Sequence, residues 1–250
     1  MPPPLHQTFN GTIWRFEIDE LSGILCAEIR LNEDRRVYFA SLNINTAEVY
    51  FNDLTAPERW FTGIEAVYDG VLLLHNYQSE TGPVHKGIVA VDAVTGAVLW
   101  SNYTFAFDHL SVDGPIVYDT QVQPKKLFLV DIKTGATTRI YPPQVHKQLD
   151  NSIVLPGMVQ ANVIDLQPLQ LHPYGNIVHY LEYNNYRIVS LHALKGGQLT
   201  QHLYLIADNI VVYEDLLNDA IQKIQPEAFI LHKNRLIYIR NRNELKVLIL

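Results

Sequence analysis

Residues Ala90 to Trp100 read A-V-D-A-V-T-G-A-V-L-W, in which Asp92 and Gly96 separate two apolar runs. An alternating apolar run, a short polar turn and a second such run are the pattern of a β-hairpin. The Asp92 carboxylate can accept hydrogen bonds from backbone N–H groups two residues on, and Gly96 tolerates the positive φ at which such a turn ends. The Thr95 hydroxyl can add a further bond. The stretch therefore predicts two antiparallel strands joined by a tight turn.

Degenerate copies of this hairpin recur along the chain, which indicates a repeat array. In each copy a polar residue lies four positions before the end of the turn: Asp19 with Gly23, Asn43 with Ala47, Asp92 with Gly96, Asp131 with Gly135, and more weakly His192 with Gly196 and Asn241 with Leu245. Thr134 repeats the place of Thr95. Eight positions after the polar residue, three copies carry Phe51, Trp100 and Arg139. An aromatic side chain that can pack between neighbouring sheets is thus present twice and then lost.

The alternating runs group into about five sets of four strands, which span residues 12–52, 64–103, 105–141, 166–205 and 209–250. Asp19 and Asn43 lie too close together for two sets, so we assign them to two hairpins of the first set. Sets of four strands in about 40 to 50 residues are typical of β-propeller blades. We therefore predict an all-β propeller of about five four-stranded blades, with residues 1–250 as one domain. The alternatives are six sheets, in which the first hairpin joins the last strands, or a β-sandwich or barrel.

Two segments interrupt this pattern. Residues 142–167 contain several prolines in weakly apolar sequence and predict a long excursion between blades, after which the fourth set begins with a strand over Leu166–His172. Residues 215–225 predict a short amphipathic helix that ends before Pro226. Its apolar residues at helical spacing are Leu216, Leu217, Ala220, Ile221 and Ile224.

The motif A-x-D-x-x-T-G-x-x-x-W at Ala90–Trp100 resembles the repeat of the quinoprotein-type β-propellers. The resemblance implies that Trp100 docks one blade on the next, with Phe51 as a substitute and Arg139 as a departure from the pattern. The dehydrogenases of that family that use pyrroloquinoline quinone are far longer, and many have a vicinal cysteine pair, whereas this chain has the single Cys26. We therefore assign no cofactor.

Four further stretches extend the comparison over the whole chain: R-R-V-Y-F-A-S-L at Arg35–Leu42, R-W-F-T-G-I-E at Arg59–Glu65, L-H-N-Y at Leu74–Tyr77 and P-V-H-K-G-I-V-A-V-D at Pro83–Asp92. With them the chain is similar to an uncharacterised bacterial family classed only as a domain of unknown function. That resemblance implies no activity.

Composition excludes several classes of protein. The chain is 48% hydrophobic and 18% charged, which suits half-buried strands and argues against disorder. A formal net charge of −7 without a basic cluster disfavours a nucleic-acid partner. We find neither an apolar run that could span a membrane nor a secretory signal, so we expect a cytoplasmic protein without a membrane partner. Cys26 lies in an alternating run and is predicted to be a core residue rather than a nucleophile.

The chain lacks the common motifs for nucleophilic catalysis, phosphate binding and Cys–His metal sites, so motifs assign no metal and no catalytic residue. The densest polar cluster lies in the second set and supplies the candidate binding residues Trp60, Glu65, His75, Tyr77, His85 and Lys86. We expect this cluster to lie where the inner strand of the blade meets a central channel. In the alternative, His75 and Tyr77 end a buried strand, and His85 and Lys86 lie in an exposed loop.

Three functions are compatible with these features. The first is a non-enzymatic propeller that binds an unidentified protein or small ligand. The second is a metal-assisted or acid–base hydrolase or lyase for a small sugar-like or lactone substrate, in which His75 and His85 share a divalent metal with Glu65 or one of them acts as a general base. The third is a structural subunit of a larger assembly. We take the binding scaffold as the primary hypothesis, because no catalytic motif accompanies the scaffold.

Overall fold

A computed structural model describes residues 5–79, 82–141, 146–226 and 228–250 of the chain. Within these residues the strands form five antiparallel sheets. The predicted all-β fold is confirmed, and the number of sheets agrees with the predicted count of about five blades. The chain divides into two compact units, which are Phe9–Asn151, and Ser152–Leu250 together with the N-terminal residues up to Thr8. A single domain over residues 1–250 stays a prediction.

The strands are numbered in chain order. Those up to residue 141 are β1 (Leu5–Thr8), β2 (Thr12–Ile18), β3 (Ile24–Leu31), β4 (Arg36–Asn43), β5 (Val49–Leu54), β6 (Thr62–Tyr68), β7 (Val71–Ser79), β8 (Gly82–Asp92), β9 (Val98–Asn102), β10 (Phe105–Ser111), β11 (Gly114–Asp119), β12 (Leu127–Val130) and β13 (Thr137–Arg139). The later ones are β14 (Ile153–Val154), β15 (Gly157–Gln160), β16 (Ile177–Tyr183), β17 (Tyr186–Lys195), β18 (Gln198–Ala207), β19 (Ile210–Ile221), β20 (Ile230–His232), β21 (Arg235–Arg240) and β22 (Glu244–Ile249). A short 3-10 turn occupies Ala161–Val163.

The unit Phe9–Asn151 consists of three four-stranded sheets in which neighbouring strands follow one another along the chain. The first sheet is β2–β3–β4–β5, the second is β6–β7–β8–β9 and the third is β10–β11–β12–β13. These sheets confirm the first three predicted sets. As predicted, Asp19 and Asn43 close two hairpins of the first sheet.

The second sheet is buried on both faces, because its middle strands contribute to two cores. Leu72 packs with Phe39 of the first sheet in one cluster, and Leu73 packs with Val117 of the third sheet in another. Successive side chains of a strand point to opposite faces, so the continuous apolar run of β7 contacts both neighbours. Cys26 is fully buried in the first cluster, and burial raises the pKa of its thiol to about 12. Its predicted core role is confirmed.

The turn residues of the best repeats make the hydrogen bonds that the sequence predicts. Oδ1 of Asp92 accepts from the backbone N and the hydroxyl of Thr95, over 2.7 and 3.0 Å. Oδ1 of Asp131 accepts from the same two groups of Thr134, over 2.8 and 2.9 Å. The two turns end on glycines with a φ of 74°. In the Asn43 turn, Ala47 takes that place with a φ of 62°, which is strained for a residue with a Cβ.

Asp19 has an additional role between sheets. Its Oδ2 accepts from the backbone N of Gly70, in the β6–β7 turn, over 2.7 Å. The residue is 1% exposed. The first copy of the repeat thus ties the first sheet to the second, which is a contact that the hairpin pattern does not predict.

Trp100 docks the second sheet on the third. Its indole N–H donates to the carbonyl O of Ile132 over 2.8 Å. The ring lies against Gly135, where a Cβ atom would approach Cδ2 of the indole to 2.8 Å. Phe51 takes the same place one sheet earlier, and its ring lies 3.7 Å from the position of a Cβ on Gly96. Both aromatics therefore pack between neighbouring sheets.

The other unit contains two five-stranded sheets. The fourth sheet has the order β15–β16–β17–β18–β19, and the fifth has the order β1–β22–β21–β20–β14. In the fifth sheet, β1 is antiparallel to β22, with Leu5 opposite Val247. The first and last of the described strands therefore share one sheet, whereas the first hairpin belongs to the first sheet. One core cluster, which includes Leu203, Leu217 and Leu236, joins the fourth and fifth sheets.

The helix predicted over residues 215–225 is wrong. Ile210–Ile221 forms β19, which pairs with β18 through several register shifts. These shifts displace the alternation of the strand, so the apolar residues around the buried Leu217 have a spacing that resembles a helix. Ala220 has a φ of 49°, which a right-handed helix excludes. The long ladder with β18 outweighs the local pattern.

The strand predicted over Leu166–His172 is also wrong. The fourth sheet begins with β15, which lies inside the segment predicted as an excursion, and residues 142–145 of that segment lie outside the described residues. Pro168 cannot donate to a strand ladder. Leu166, Leu169 and Leu171 instead pack on the core of the fourth sheet from outside it. Asn209–Tyr213, predicted in the fifth set, belongs mainly to β19 of the fourth sheet.

Candidate functional site

A β-bulge interrupts the first strand of each of the first three sheets. The extra residues, which have no partner in the ladder, are Trp14 on β2, Glu65 on β6 and Asp108 on β10. A bulge bends the strand and re-aims the side chain of the extra residue. On β6 the bulge directs Glu65 toward side chains of β7 and β8.

Glu65, His75 and His85 converge on the second sheet. Nδ1 of His85 donates to Oε2 of Glu65 over 2.9 Å, and Nδ1 of His75 lies 3.1 Å from the same oxygen. The two imidazole rings are stacked, with centroids 3.5 Å apart and an interplanar angle of 8°. Tyr77 meets both rings edge-on, at centroid distances of 5.0 and 5.2 Å. One ligand atom from each of the three residues lies within 4.8 Å of the other two.

His75 is buried without a hydrogen bond. Its side chain is 2% exposed, and neither ring nitrogen has a hydrogen-bond partner among the described residues, since the contact with Glu65 has the distance but not the angle of such a bond. Leaving a buried polar atom unpaired costs about 1 to 3 kcal/mol. Gly63 makes room for the ring, because a Cβ there would lie 3.1 Å from Nε2 of His75. The ring is therefore held in place, and both of its nitrogens are available to bind a ligand.

Glu65 is ionised at neutral pH. Burial has the largest influence on its carboxyl group and would raise its pKa, but the combined attraction of His75 and His85 outweighs burial and lowers that pKa. A mostly buried carboxylate beside two imidazoles favours a bound proton or cation. The cluster therefore combines a negative charge with one potential ligand atom from each of its three residues.

The other two predicted binding residues lie apart from this cluster. Trp60 precedes β6 and packs on Arg30, with its ring centroid 5.0 Å from Cζ of the guanidinium. Lys86 follows His85 on β8 and pairs with Asn76, so it points to the opposite face of the strand. Both His85 and Lys86 lie in a strand rather than in an exposed loop. The placement of the cluster at a central channel stays a prediction.

Sequence reasoning missed a buried ion pair beside the site. On β3, Oε1 of Glu28 accepts from Nε of Arg30 over 2.6 Å, and Oε2 accepts from the backbone N of Ile64 over 3.0 Å. The guanidinium lies against the rings of Trp14 and Trp60, at 5.2 and 5.0 Å. The pair anchors β6 to the first sheet. Two opposite charges on one face of an otherwise apolar strand were the signal in the sequence.

The third sheet repeats the bulge with a different set of side chains. Asp108 accepts a hydrogen bond from Nδ1 of His109 over 2.7 Å and also pairs with Lys125. This cluster contains one imidazole and is more exposed than the cluster at Glu65. It offers a matched control for experiments on the second sheet.

Two buried histidines of the fourth sheet hold the backbone that follows β19. Nε2 of His179 donates to the carbonyl O of Pro226, and Nε2 of His192 accepts from the backbone N of Gln225, both over 3.0 Å. Burial lowers both pKa values, and His179 contributes to lowering that of His192 to about 4. Both rings are therefore neutral at pH 7, and the Nε2 atom of each serves a structural purpose.

The chain is similar to one protein-family profile and to solved structures of low sequence identity. A family profile described as a domain of unknown function (DUF4905) matches residues 18–100, which include the Glu65 cluster. No curated protein matches the chain. Among solved structures, the chain is similar to BamB from Moraxella catarrhalis, with 13% identity and a TM-score of 0.25 over 93% of this chain and 81% of that one. It is also similar to an endo-arabinase from Bacteroides thetaiotaomicron, with 9% identity and a TM-score of 0.26 over 99% and 94% of the two chains.

The resemblance of Ala90–Trp100 to the quinoprotein-type repeat stays a prediction. Within the described part of the chain, no helix has the length and apolar character needed to cross a membrane.

Proposed function

We propose that the protein is a non-enzymatic binding scaffold that holds a small ligand at Glu65, His75 and His85. The observation that carries this proposal is the state of His75, a buried ring in which neither nitrogen makes a hydrogen bond and Nδ1 lies 3.1 Å from a carboxylate oxygen of Glu65. An unpaired buried atom costs about 1 to 3 kcal/mol. A ligand bound to the ring would offset that cost, which would explain why a histidine is buried there without a hydrogen bond.

Access to the site runs through His85. Its side chain is 32% exposed, against 11% for Glu65 and 2% for His75. A ligand would therefore meet His85 at the surface and His75 in the interior. Tyr77 flanks both rings and limits the space beside them, so the ligand is small.

A thermal-shift screen tests the proposal, because a ligand that binds only the folded state raises the melting temperature. The screen compares wild type, E65Q, H85Q and the control H109Q against divalent metals, sugars, nucleotides and small acids. We expect at least one compound to raise the Tm of wild type and H109Q, and to lose this effect in E65Q and H85Q. A screen without such a compound, or shifts that persist in both site variants, would contradict the proposal.

A second candidate is a metal-assisted or acid–base hydrolase or lyase that acts on a small sugar-like or lactone substrate. Two histidines and a carboxylate are a ligand set of catalytic zinc sites, which supports this candidate. Turnover of a lactone or sugar ester that is lost in E65Q and kept in H109Q would favour it. Without turnover of any such substrate, the binding role alone is left.

We propose a cytoplasmic protein whose partner is a small molecule or an unidentified protein, with no nucleic acid and no membrane bound. The net charge of −7 supports the exclusion of nucleic acid.

A further inference from the structure

We infer that Glu65, His75 and His85 bind one divalent transition-metal ion of the zinc class, with the two imidazoles and the carboxylate as ligands. This inference rests on the proposed binding function of the same site and names its ligand.

The distances suit such an ion. Zinc binds histidine nitrogen at about 2.0 to 2.1 Å and carboxylate oxygen at about 2.0 to 2.2 Å, which places neighbouring ligand atoms about 3 to 3.5 Å apart. Oε2 of Glu65 lies 2.9 Å from Nδ1 of His85 and 3.1 Å from Nδ1 of His75. Oε2 of Glu65 and Nδ1 of His75 therefore already lie at the spacing of two ligands of one ion.

The donor set selects the class of ion. Imidazole nitrogen suits zinc, cobalt, nickel and copper, whereas Mg²⁺ and Ca²⁺ prefer oxygen ligands throughout. The Glu65 carboxylate would supply one negative charge to the ion. Three protein ligands leave a fourth position for water or a small anion.

Glu28 can orient His75 toward the ion. A metal-bound histidine commonly donates its other ring N–H to a carboxylate. The position of a Cβ on Gly63 lies 3.1 Å from Nε2 of His75 and 2.8 Å from Oε2 of Glu28, so both atoms face the same small space. With Nδ1 on the metal, the Nε2–H of His75 would face the Glu28 carboxylate.

Binding requires the histidine stack to open. Rings only 8° from parallel cannot both direct an Nδ1 lone pair at one ion. His85 is partly exposed, whereas His75 is enclosed. The exposed ring of His85 therefore rotates on binding, and His75 stays in place.

Titration of the full chain with Co²⁺ alone tests the inference, because Co²⁺ in a site of this kind absorbs visible light. We expect one equivalent of Co²⁺ to give absorption that Zn²⁺ displaces and Mg²⁺ does not. Loss of a positioning partner costs about 10- to 100-fold in metal affinity, so loss of a ligand in E65Q or H85Q should cost at least about 100-fold. H109Q and H146Q, which remove single surface histidines paired with aspartates, should leave affinity unchanged.

Several outcomes would overturn the inference. They are no Co²⁺ binding by the wild type, equal binding by wild type, E65Q and H85Q, or loss of binding in H109Q. Thermal unfolding of the metal-free variants verifies that each is folded. If Co²⁺ does not bind, but another small compound raises the Tm of wild type and not that of E65Q and H85Q, the inferred metal site is wrong and the proposed binding function stands. If neither Co²⁺ nor any other compound binds at this site, the metal inference and the proposed binding function are both wrong.

Discussion

Single residues determine how the sheets of Phe9–Asn151 fit together, and Gly135 is the clearest case. Its φ is 74°, and a Cβ there would lie 2.8 Å from the Trp100 ring. Gly175 has a similar φ of 78°, but no atom lies within 4 Å of its Cβ position. Both glycines therefore have a positive φ, and they differ only in the atoms that surround the Cβ position.

We expect G135A to lower the free energy of unfolding by about 2 to 4 kcal/mol, since strain at positive φ and displacement of Trp100 add together. G175A should cost only about 1 kcal/mol. Urea unfolding of both variants measures the difference. Equal losses would show that contact with Trp100 has no part in the choice of glycine.

His192 gives the stability of the chain a dependence on pH. Its pKa is about 4 in the folded chain, against 6.5 in an unperturbed histidine, and the residue is 3% exposed. Between these two pH values the unfolded chain binds a proton that the folded chain does not, so the free energy of unfolding falls as pH decreases from 6.5 to 4.

We expect this contribution to be on the order of 3 kcal/mol, since one pKa unit corresponds to about 1.4 kcal/mol, and to be absent in H192Q. Unfolding free energies of wild type and H192Q at several pH values between 4 and 7 measure it. The slopes are compared rather than the absolute values, because H192Q also changes the bond to Gln225. Identical slopes for the two proteins would refute the assignment to His192.

At the scale of elements, the residue eight positions after the polar residue of the turn determines whether a sheet docks through an aromatic ring. Trp100 contributes ring packing and one hydrogen bond to the third sheet. Arg139 holds the equivalent place in the third sheet and is exposed. The two positions form a natural pair for comparison.

We expect W100A to lower the free energy of unfolding by about 2 to 4 kcal/mol through lost packing. W100F should cost about 1 kcal/mol through the lost hydrogen bond to Ile132. R139A should stay within about 0.5 kcal/mol of wild type. Denaturant unfolding measures all three, and a W100A protein as stable as R139A would contradict docking by Trp100.

The hairpins were predictable because turn chemistry and alternation are local. Strands β2 to β13 follow the predicted sets closely. The strand β19 was not predictable, because its register shifts arise from pairing with β18 and give a local pattern that looks helical. The place of β15 depends in the same way on a partner strand that comes later in the chain.

The same distinction applies to the candidate site. The residue types at Glu65, His75, Tyr77 and His85 were visible in the sequence, and their convergence follows from adjacent strands. The bulge that re-aims Glu65 and the ion pair of Glu28 with Arg30 depend on register and on contacts between sheets. Sequence patterns alone do not contain that information.

At the scale of the whole molecule, the first and last of the described strands, β1 and β22, lie in the same sheet. β1 covers the edge of β22, and Leu5 is buried there. An exposed strand edge is a site for aggregation.

We expect deletion of residues 1–8 to lower the free energy of unfolding by about 2 to 3 kcal/mol, mainly through the lost burial of Leu5. The deletion should also promote aggregation. T8A, which changes an exposed residue of the same strand, is the control and should behave as wild type. Thermal unfolding and light scattering measure both effects. A deletion variant as stable and as soluble as T8A would show that the edge needs no cover.

The central claim is that the buried His75 is a ligand site, and nitrogen-15 NMR of the histidine rings tests it most directly. On addition of one equivalent of Zn²⁺, the ring nitrogens of His75 and His85 should shift, while those of His179 and His192 stay unchanged. In E65Q the His75 and His85 shifts should be lost. Unchanged His75 resonances at saturating Zn²⁺, with shifts only at surface histidines such as His109, would contradict the account.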